Sequence, residues 1–154
     1  MSAALDPADL FHVGVVTDDL DALRAQLTGA LGYAWAPEAS NRVPVCVLAG
    51  GARTDTDVDL RLVYSRSVPR IELVQSVPDT LWTPVADSGI HHVGYWSDDV
   101  AAAATDLQER GFVAEVLGRG PAGSTPWGYF RAGIGPRIEL VSRAMQAGME
   151  ASWG

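Results

Sequence analysis

The sequence predicts an α+β protein built from two copies of one βαβββ unit, and two observations lead to this prediction. The hexapeptide Pro-Arg-Ile-Glu-Leu-Val occurs at residues 69–74 and again at residues 136–141. A second pair of matching blocks lies upstream, where Phe-His-Val-Gly at 11–14 corresponds to His-His-Val-Gly at 91–94. Because the two blocks recur in the same order, the chain is best explained as an internal duplication.

Each copy shows the same order of predicted elements. Short apolar runs at 11–16 and 91–96 are typical of strands. Aspartate pairs follow these runs and suit helix N-caps, and apolar residues at helical spacing place the helices at about 19–30 and about 99–110. The other predicted strands lie at about 43–49, 58–64 and 70–75 in the first copy, and at about 112–117, 127–132 and 137–142 in the second.

These elements divide the chain of 154 residues into four segments. The first module covers 10–75, a linker covers 76–89, the second module covers 90–143, and a C-terminal tail covers 144–154. One βαβββ unit leaves a sheet edge and an apolar face open, so we expect the two modules to pack together. We also expect a homodimer; whether the modules pair within one chain or between chains is left open by the sequence.

The composition excludes several classes of partner. A hydrophobic content of 47% with 19% charged residues is typical of a globular protein rather than a disordered one. The net charge of -8 argues against nucleic-acid binding, which requires a basic surface. No apolar run approaches the roughly 20 residues that a membrane span needs, and the first residues lack the features of a secretory signal. Because the single Cys46 cannot form an internal disulfide, we expect the protein in the cytoplasm.

The matched blocks contain four potential metal ligands. His12 and His92 occupy the same position on the first strand of each copy, and Glu72 and Glu139 lie in the identical hexapeptides on the last strand. A carboxylate within an apolar strand must face water, be paired, or bind a metal. Two imidazoles with two carboxylates suit one divalent ion such as Zn, Ni, Co, Mn or Fe. His91, which has no counterpart in the first copy, is expected to be structural, to support a ligand, or to lie on the rim of the site.

The residues 11–14, 71–73, 92–94 and 138–140 resemble the vicinal oxygen chelate superfamily, which includes glyoxalase I, methylmalonyl-CoA epimerase and the extradiol dioxygenases. The resemblance spans nearly the whole chain. It implies that the paired modules form an eight-stranded cup with the metal at its base, and that the substrate offers two neighbouring oxygens to the metal.

The number of protein ligands favours one reaction type over another. Extradiol chemistry typically uses two histidines and one carboxylate, which keeps three positions free for substrate and O₂. A fourth protein ligand favours proton transfer instead: an epimerase, an isomerase or a glyoxalase-type lyase acting on a carbonyl compound. An extradiol-type dioxygenase remains one alternative, and a small-molecule sequestering protein of the bleomycin-resistance type remains another.

The resemblance also assigns catalytic roles. It implies that Glu139 is the ligand that leaves the metal and acts as the general base, and that Glu72, the equivalent glutamate of the first copy, is a second catalytic candidate. Methylmalonyl-CoA epimerases need a second base, and Glu38 lies roughly where one could project. Aromatic residues are numerous for a chain of this size, and their first interpretation is packing in the core. If some of them line the cup, they indicate an aromatic or apolar substrate. These residues are Trp35, Trp82, Trp96, Trp127, Tyr95, Tyr129 and Phe130.

Overall fold

Eight strands close into a barrel in the computed structural model, which describes residues 5–87 and 89–154. Residues 1–4, and Ser88 within the predicted linker, lie outside this description. The three helices are α1 (Leu20–Leu31), α2 (Val100–Glu109) and α3 (Gln146–Trp153). The strands are β1 (Leu10–Thr17), β2 (Ala39–Ala49), β3 (Ala52–Tyr64), β4 (Ile71–Gln75), β5 (Ile90–Ser97), β6 (Val113–Gly118), β7 (Trp127–Arg131) and β8 (Arg137–Ser142).

The order of strands around the barrel repeats the duplication seen in the sequence. The order is β1-β4-β3-β2-β6-β7-β8-β5, so each half of the chain contributes four adjacent strands. Within each half the first and last strands run parallel, as β1 with β4 and β5 with β8. The halves join at two antiparallel seams, β1 with β5 and β2 with β6, within the same chain. This arrangement confirms the predicted α+β fold of two units forming an eight-stranded cup.

Side-chain caps explain where the first two helices begin. The carboxylate of Asp19 accepts a hydrogen bond from the amide of Ala22 at 2.9 Å, and Asp99 accepts one from Ala102 at 3.0 Å. These caps satisfy amides that have no partner within the helix. None of the helices among the described residues has the length and apolar character needed to cross a membrane.

The hairpin of β2 and β3 is longer than the sequence pattern predicted. Its strands pair from Ala39 opposite Leu62 to Ala49 opposite Ala52, around a turn of two glycines at 50–51 with positive φ. The expected strands began later because the added residues are mostly polar and exposed, which hides the apolar alternation. Ion pairs between side chains lie along this part of the hairpin, including those of Arg42 with two aspartates.

The linker and the tail each place a tryptophan in the interior. Trp82 of the linker is 1% exposed and packs in the main core cluster with residues of both halves. Trp153 at the end of α3 is also buried, beside Tyr64 and Trp96. The guanidinium of Arg70 lies 4.1 Å from the centre of the Trp153 ring, which holds α3 against the barrel.

Candidate metal centre

Four strands that are neighbours in the barrel position the four predicted ligands. In the order β4, β1, β5 and β8 these strands carry Glu72, His12, His92 and Glu139, and all four residues are buried. One ligand atom of each lies within 4.8 Å of the others. The structure therefore brings together the residues that the duplicated motifs singled out.

The ligand atoms face a common point. The Nε2 atoms of His12 and His92 are 3.0 Å apart. Glu139 Oε2 lies 3.0 Å from His12 Nε2 and 3.1 Å from His92 Nε2, while Glu72 Oε1 lies 3.1 Å from His92 Nε2. Both of these carboxylate oxygens are buried, and neither has a well-oriented hydrogen-bond donor among the described residues. Buried carboxylates that lack donors, beside two converging imidazole nitrogens, fit the donor set of a divalent metal.

The pKa shifts of His92 and Glu139 also indicate that this cluster suits a cation. Burial lowers the pKa of His92, but its contacts with Glu139 and Glu72 outweigh burial and raise the pKa to about 9. Burial raises the pKa of Glu139, but its contacts with His12 and His92 outweigh burial and lower the pKa. Without a metal, the cluster thus retains a proton on His92 between the carboxylates. A divalent cation could replace that positive charge.

Glycines on β1 and β5 make room for the two histidine rings. Gly14 is paired with Glu72 on one side and with His92 on the other, and Gly94 is paired with Glu139 and His12 in the same way. A Cβ atom on Gly14 would lie 2.0 Å from His92 Cε1, and a Cβ atom on Gly94 would lie 2.0 Å from His12 Cε1. Each glycine therefore accommodates the histidine of the other half. The repeated His-Val-Gly spacing is the sequence signal for this exchange, although on its own it indicated only the repeat.

His91 lies behind His92 rather than on the rim of the site. It is 1% exposed, and its Nδ1 atom is 2.9 Å from His92 Nδ1. Its Nε2 atom is 2.7 Å from the carbonyl oxygen of Leu81 in the linker. Burial, with the nearby charge of His92, lowers the pKa of His91 to about 4, so His91 is neutral near pH 7.

A tyrosine stands directly opposite each glutamate. Tyr64 on β3 pairs with Glu72, and Tyr129 on β7 pairs with Glu139. Burial raises the pKa of both tyrosines, and the charges of the two glutamates raise it further, so both hydroxyls stay protonated. Tyr64 is not among the residues that the sequence motifs predicted. The available signal for it was that a tyrosine lies in the strand before each strand that carries a glutamate.

A cavity of about 320 Å³ opens above the two glutamates. Its wall is mostly apolar and aromatic, and no arginine lines it within the described part of the chain. Met145 and Met149, in the segment that ends in α3, close one side. The lining residues are Asn41, Val43, Leu60, Leu62, Tyr64, Glu72, Val74, Trp82, Trp127, Tyr129, Glu139, Val141, Met145 and Met149.

Glu38 is placed away from this cavity, which corrects the expectation that it projects toward the site. Its carboxylate accepts hydrogen bonds from Arg61 and from Arg24, with a distance of 3.1 Å to Arg24 Nη1. The hydrogen bond from Arg61 lowers the pKa of Glu38. Because side chains alternate along a strand, Arg61 points to the opposite face from the cavity-lining Leu60 and Leu62, and Glu38 lies with it.

Known proteins give the same picture of the fold. Methylmalonyl-CoA epimerase from Mycobacterium tuberculosis is 23% identical, with a TM-score of 0.56 and 97% of each chain covered. A variant of the Streptomyces coelicolor methylmalonyl-CoA epimerase, in complex with 2-nitronate-propionyl-CoA, is 19% identical with a TM-score of 0.58, and the match covers 88% of this chain and 97% of that one. A hypothetical protein from Bacillus halodurans is 15% identical with a TM-score of 0.54, covering 87% and 93%. At these identities the likeness concerns the fold.

A sequence search of curated proteins gave no significant match. The family model described as the glyoxalase/bleomycin resistance protein/dioxygenase superfamily matches residues 11–130, which is most of the chain and includes both histidine motifs. The chain therefore belongs to the glyoxalase/bleomycin resistance protein/dioxygenase superfamily, the group that the vicinal oxygen chelate resemblance predicted.

Proposed function

We propose that the protein is a divalent-metal-dependent enzyme that moves a proton on a small molecule carrying a carbonyl group. One observation carries this proposal: two imidazole nitrogens and two buried carboxylate oxygens converge at the base of a cavity large enough for a small molecule. His12, Glu72, His92 and Glu139 would hold the ion. A divalent metal there would polarise a carbonyl oxygen of the substrate and make the neighbouring C–H more acidic.

Glu139 is the proposed base. Both glutamates border the cavity, but the side chain of Glu139 is 9% exposed, whereas that of Glu72 is 4% exposed and interacts with the Tyr64 hydroxyl. An oxygen of Glu139 would take the proton from the carbon next to the carbonyl and return it. Return of the proton by Glu139 to a neighbouring carbon gives an isomer. Delivery of a proton to the other face of the same carbon gives an epimer and needs a second group, for which Glu72 is the candidate because it also borders the cavity.

The cavity wall supports a substrate with an apolar or aromatic body. Away from the proposed metal ion, an anionic group would find no cationic side chain among the lining residues to compensate its charge. All 11 basic residues of the chain are arginines, and none of those described lies on the wall. The aromatic rings of Trp82 and Trp127 provide flat apolar surface beside the glutamates. For a coenzyme A ester, only the acyl end suits this cavity.

Deuterium exchange tests the proposal. The protein, loaded in turn with Zn, Ni, Co, Mn or Fe, is incubated in D₂O with three probes: methylmalonyl-CoA, the thiol adduct of an α-ketoaldehyde, and an uncharged aromatic hydroxyketone. We expect deuterium to appear next to the carbonyl of at least one probe, as measured by NMR and mass spectrometry. Glu139→Gln should abolish the exchange, while Glu109→Gln, at an exposed position on α2, should not change it.

Two other results would contradict this proposal and support an alternative function. Oxygen uptake in step with turnover of a catechol would establish the dioxygenase alternative. Tight binding of bleomycin, with no exchange on any probe and any metal, would establish the sequestering protein.

A further inference from the structure

The position before the histidine is where the two copies of the motif differ in chemistry. Phe11 precedes His12, and His91 precedes His92. Phe11 stacks on Trp96 at a centroid distance of 3.7 Å and offers no hydrogen bond to a neighbouring imidazole. The Nδ1 atom of His12 is buried and has no hydrogen-bond partner in the part of the chain that the structure describes, whereas Nδ1 of His92 lies 2.9 Å from Nδ1 of His91.

The contacts of His91 determine which of its nitrogens carries a proton. A carbonyl oxygen only accepts hydrogen bonds, so His91 Nε2, 2.7 Å from the Leu81 oxygen, must carry a proton. His91 is almost fully buried, and no carboxylate forms an ion pair with it among the described residues, so a second proton would leave a buried charge uncompensated. Nδ1 of His91 is therefore an acceptor. The hydrogen between the two Nδ1 atoms consequently belongs to His92. Nε2 of His92 is then the nitrogen that can bind a metal, once the metal displaces the proton that the metal-free cluster holds there.

We infer that His91 is a positioning residue that fixes the tautomer and orientation of His92 and makes His92 a stronger metal donor than His12. This inference rests on the proposed metal site, but it does not depend on which reaction the site catalyses. The resulting chain runs from the Leu81 carbonyl through His91 to His92. It ties the linker between the two halves to one ligand only, so the duplicated site is chemically unequal.

Three variants separate this role from simple packing. In His91→Asn the amide oxygen takes the place of Nδ1 and keeps an acceptor for His92. In His91→Gln the amide nitrogen reaches toward the Leu81 carbonyl but the acceptor is lost, and in His91→Leu both are lost at similar volume. Zinc affinity, measured by competition with a chromophoric chelator, should stay near wild type in the asparagine variant. It should fall by about 10- to 100-fold in the other two, as is typical when a partner behind a ligand is removed.

A spectroscopic readout on the metal-free protein tests the hydrogen bond directly. With ¹⁵N-labelled histidine, we expect a proton attached to His92 Nδ1 and a scalar coupling across the hydrogen bond between the two Nδ1 nuclei. The proton on His92 Nδ1 should remain in His91→Asn. In His91→Leu the NMR signal of this proton should lose its downfield shift. A proton attached to His91 Nδ1 would overturn the inference, as would a leucine variant that binds zinc like the wild type. Equal loss of affinity in all three variants would also overturn it. If the wild type binds no metal, the proposed function fails, while the NMR signals still report on His91.

Discussion

An alanine at Gly14 would place its methyl carbon 2.0 Å from His92 Cε1 and 2.2 Å from His92 Nε2. Ordinary carbon contacts are about 3.5–4.0 Å, so the ring or strand β1 would have to move by roughly 1.5 Å. The ring has little room to do so, because it is fully buried, touches His91 on its other nitrogen and faces the glutamates. We therefore expect Gly14→Ala to displace the ligand of the opposite half of the chain.

The expected magnitude follows from overpacking. Inserting a methyl group into a tightly packed interior costs about 1–3 kcal/mol. For a domain of this size each kcal/mol lowers the melting temperature by roughly 2–4 °C. Thermal unfolding in the presence of a chelator measures this loss without the contribution of the metal, and elemental analysis of protein purified without chelator measures the loss of metal. Both quantities should fall.

Gly29→Ala is the matched control. Gly29 lies within α1, and a Cβ atom there would meet nothing within 4 Å. The same substitution should therefore stabilise the protein by about 0.5–1 kcal/mol, through helix propensity alone. Gly94→Ala should behave like Gly14→Ala, but the NMR signals of His12 should then shift more than those of His92. A Gly14→Ala protein with wild-type metal content and melting temperature would refute the reasoning.

Three further predictions concern the ligands, the pH dependence and the C-terminal helix. We expect about one divalent ion per chain by elemental analysis, and full retention of the metal in the double glutamate variant would contradict the site. Metal occupancy should fall sharply in each of four single variants: His12→Ala, Glu72→Ala, His92→Ala and Glu139→Ala. In the metal-free protein the proton on His92 contributes stability that is complete below pH 6.5 and is lost as the pH rises through about 9. Since a metal replaces this proton, the gain in melting temperature on adding zinc should grow between these pH values, and a constant gain would contradict the assignment. Trp153→Ala should cost about 3–5 kcal/mol and speed hydrogen exchange in α3, because the buried ring anchors that helix; unchanged exchange would show that other contacts hold it.

The sequence was sufficient to predict the fold and to group the four candidate ligands, because each lies in a motif that occurs twice. Glu72 and Glu139 stand in identical hexapeptides, so their shared role did not depend on any loop. Glu38 had no such support. Its placement depends on which face of the β2–β3 hairpin it accompanies, and the sequence pattern placed the start of that hairpin too late.

Other parts of the site depend on contacts between residues far apart in the sequence. Nothing local distinguishes Trp82, which lines the cavity, from Trp96, which packs in the core. The sequence also does not indicate that Met149 closes the cavity from a helix after the last strand. The contact of His91 with the Leu81 carbonyl joins the linker to β5 and appears only once the chain is folded. The homodimer and the cytoplasmic location stay predictions.

The exchange of rings and glycines across the β1–β5 seam has a consequence for how the two copies could diverge after duplication. A new side chain at Gly14 would clash with His92 of the second copy, and one at Gly94 would clash with His12 of the first copy. A substitution of the glycine in one His-Val-Gly motif would therefore displace the histidine of the other motif. Positions outside this exchange carry no such constraint. Phe11 and His91 already differ, and it is at such positions that one duplicated scaffold could acquire different reactions while its metal-holding seam stayed the same.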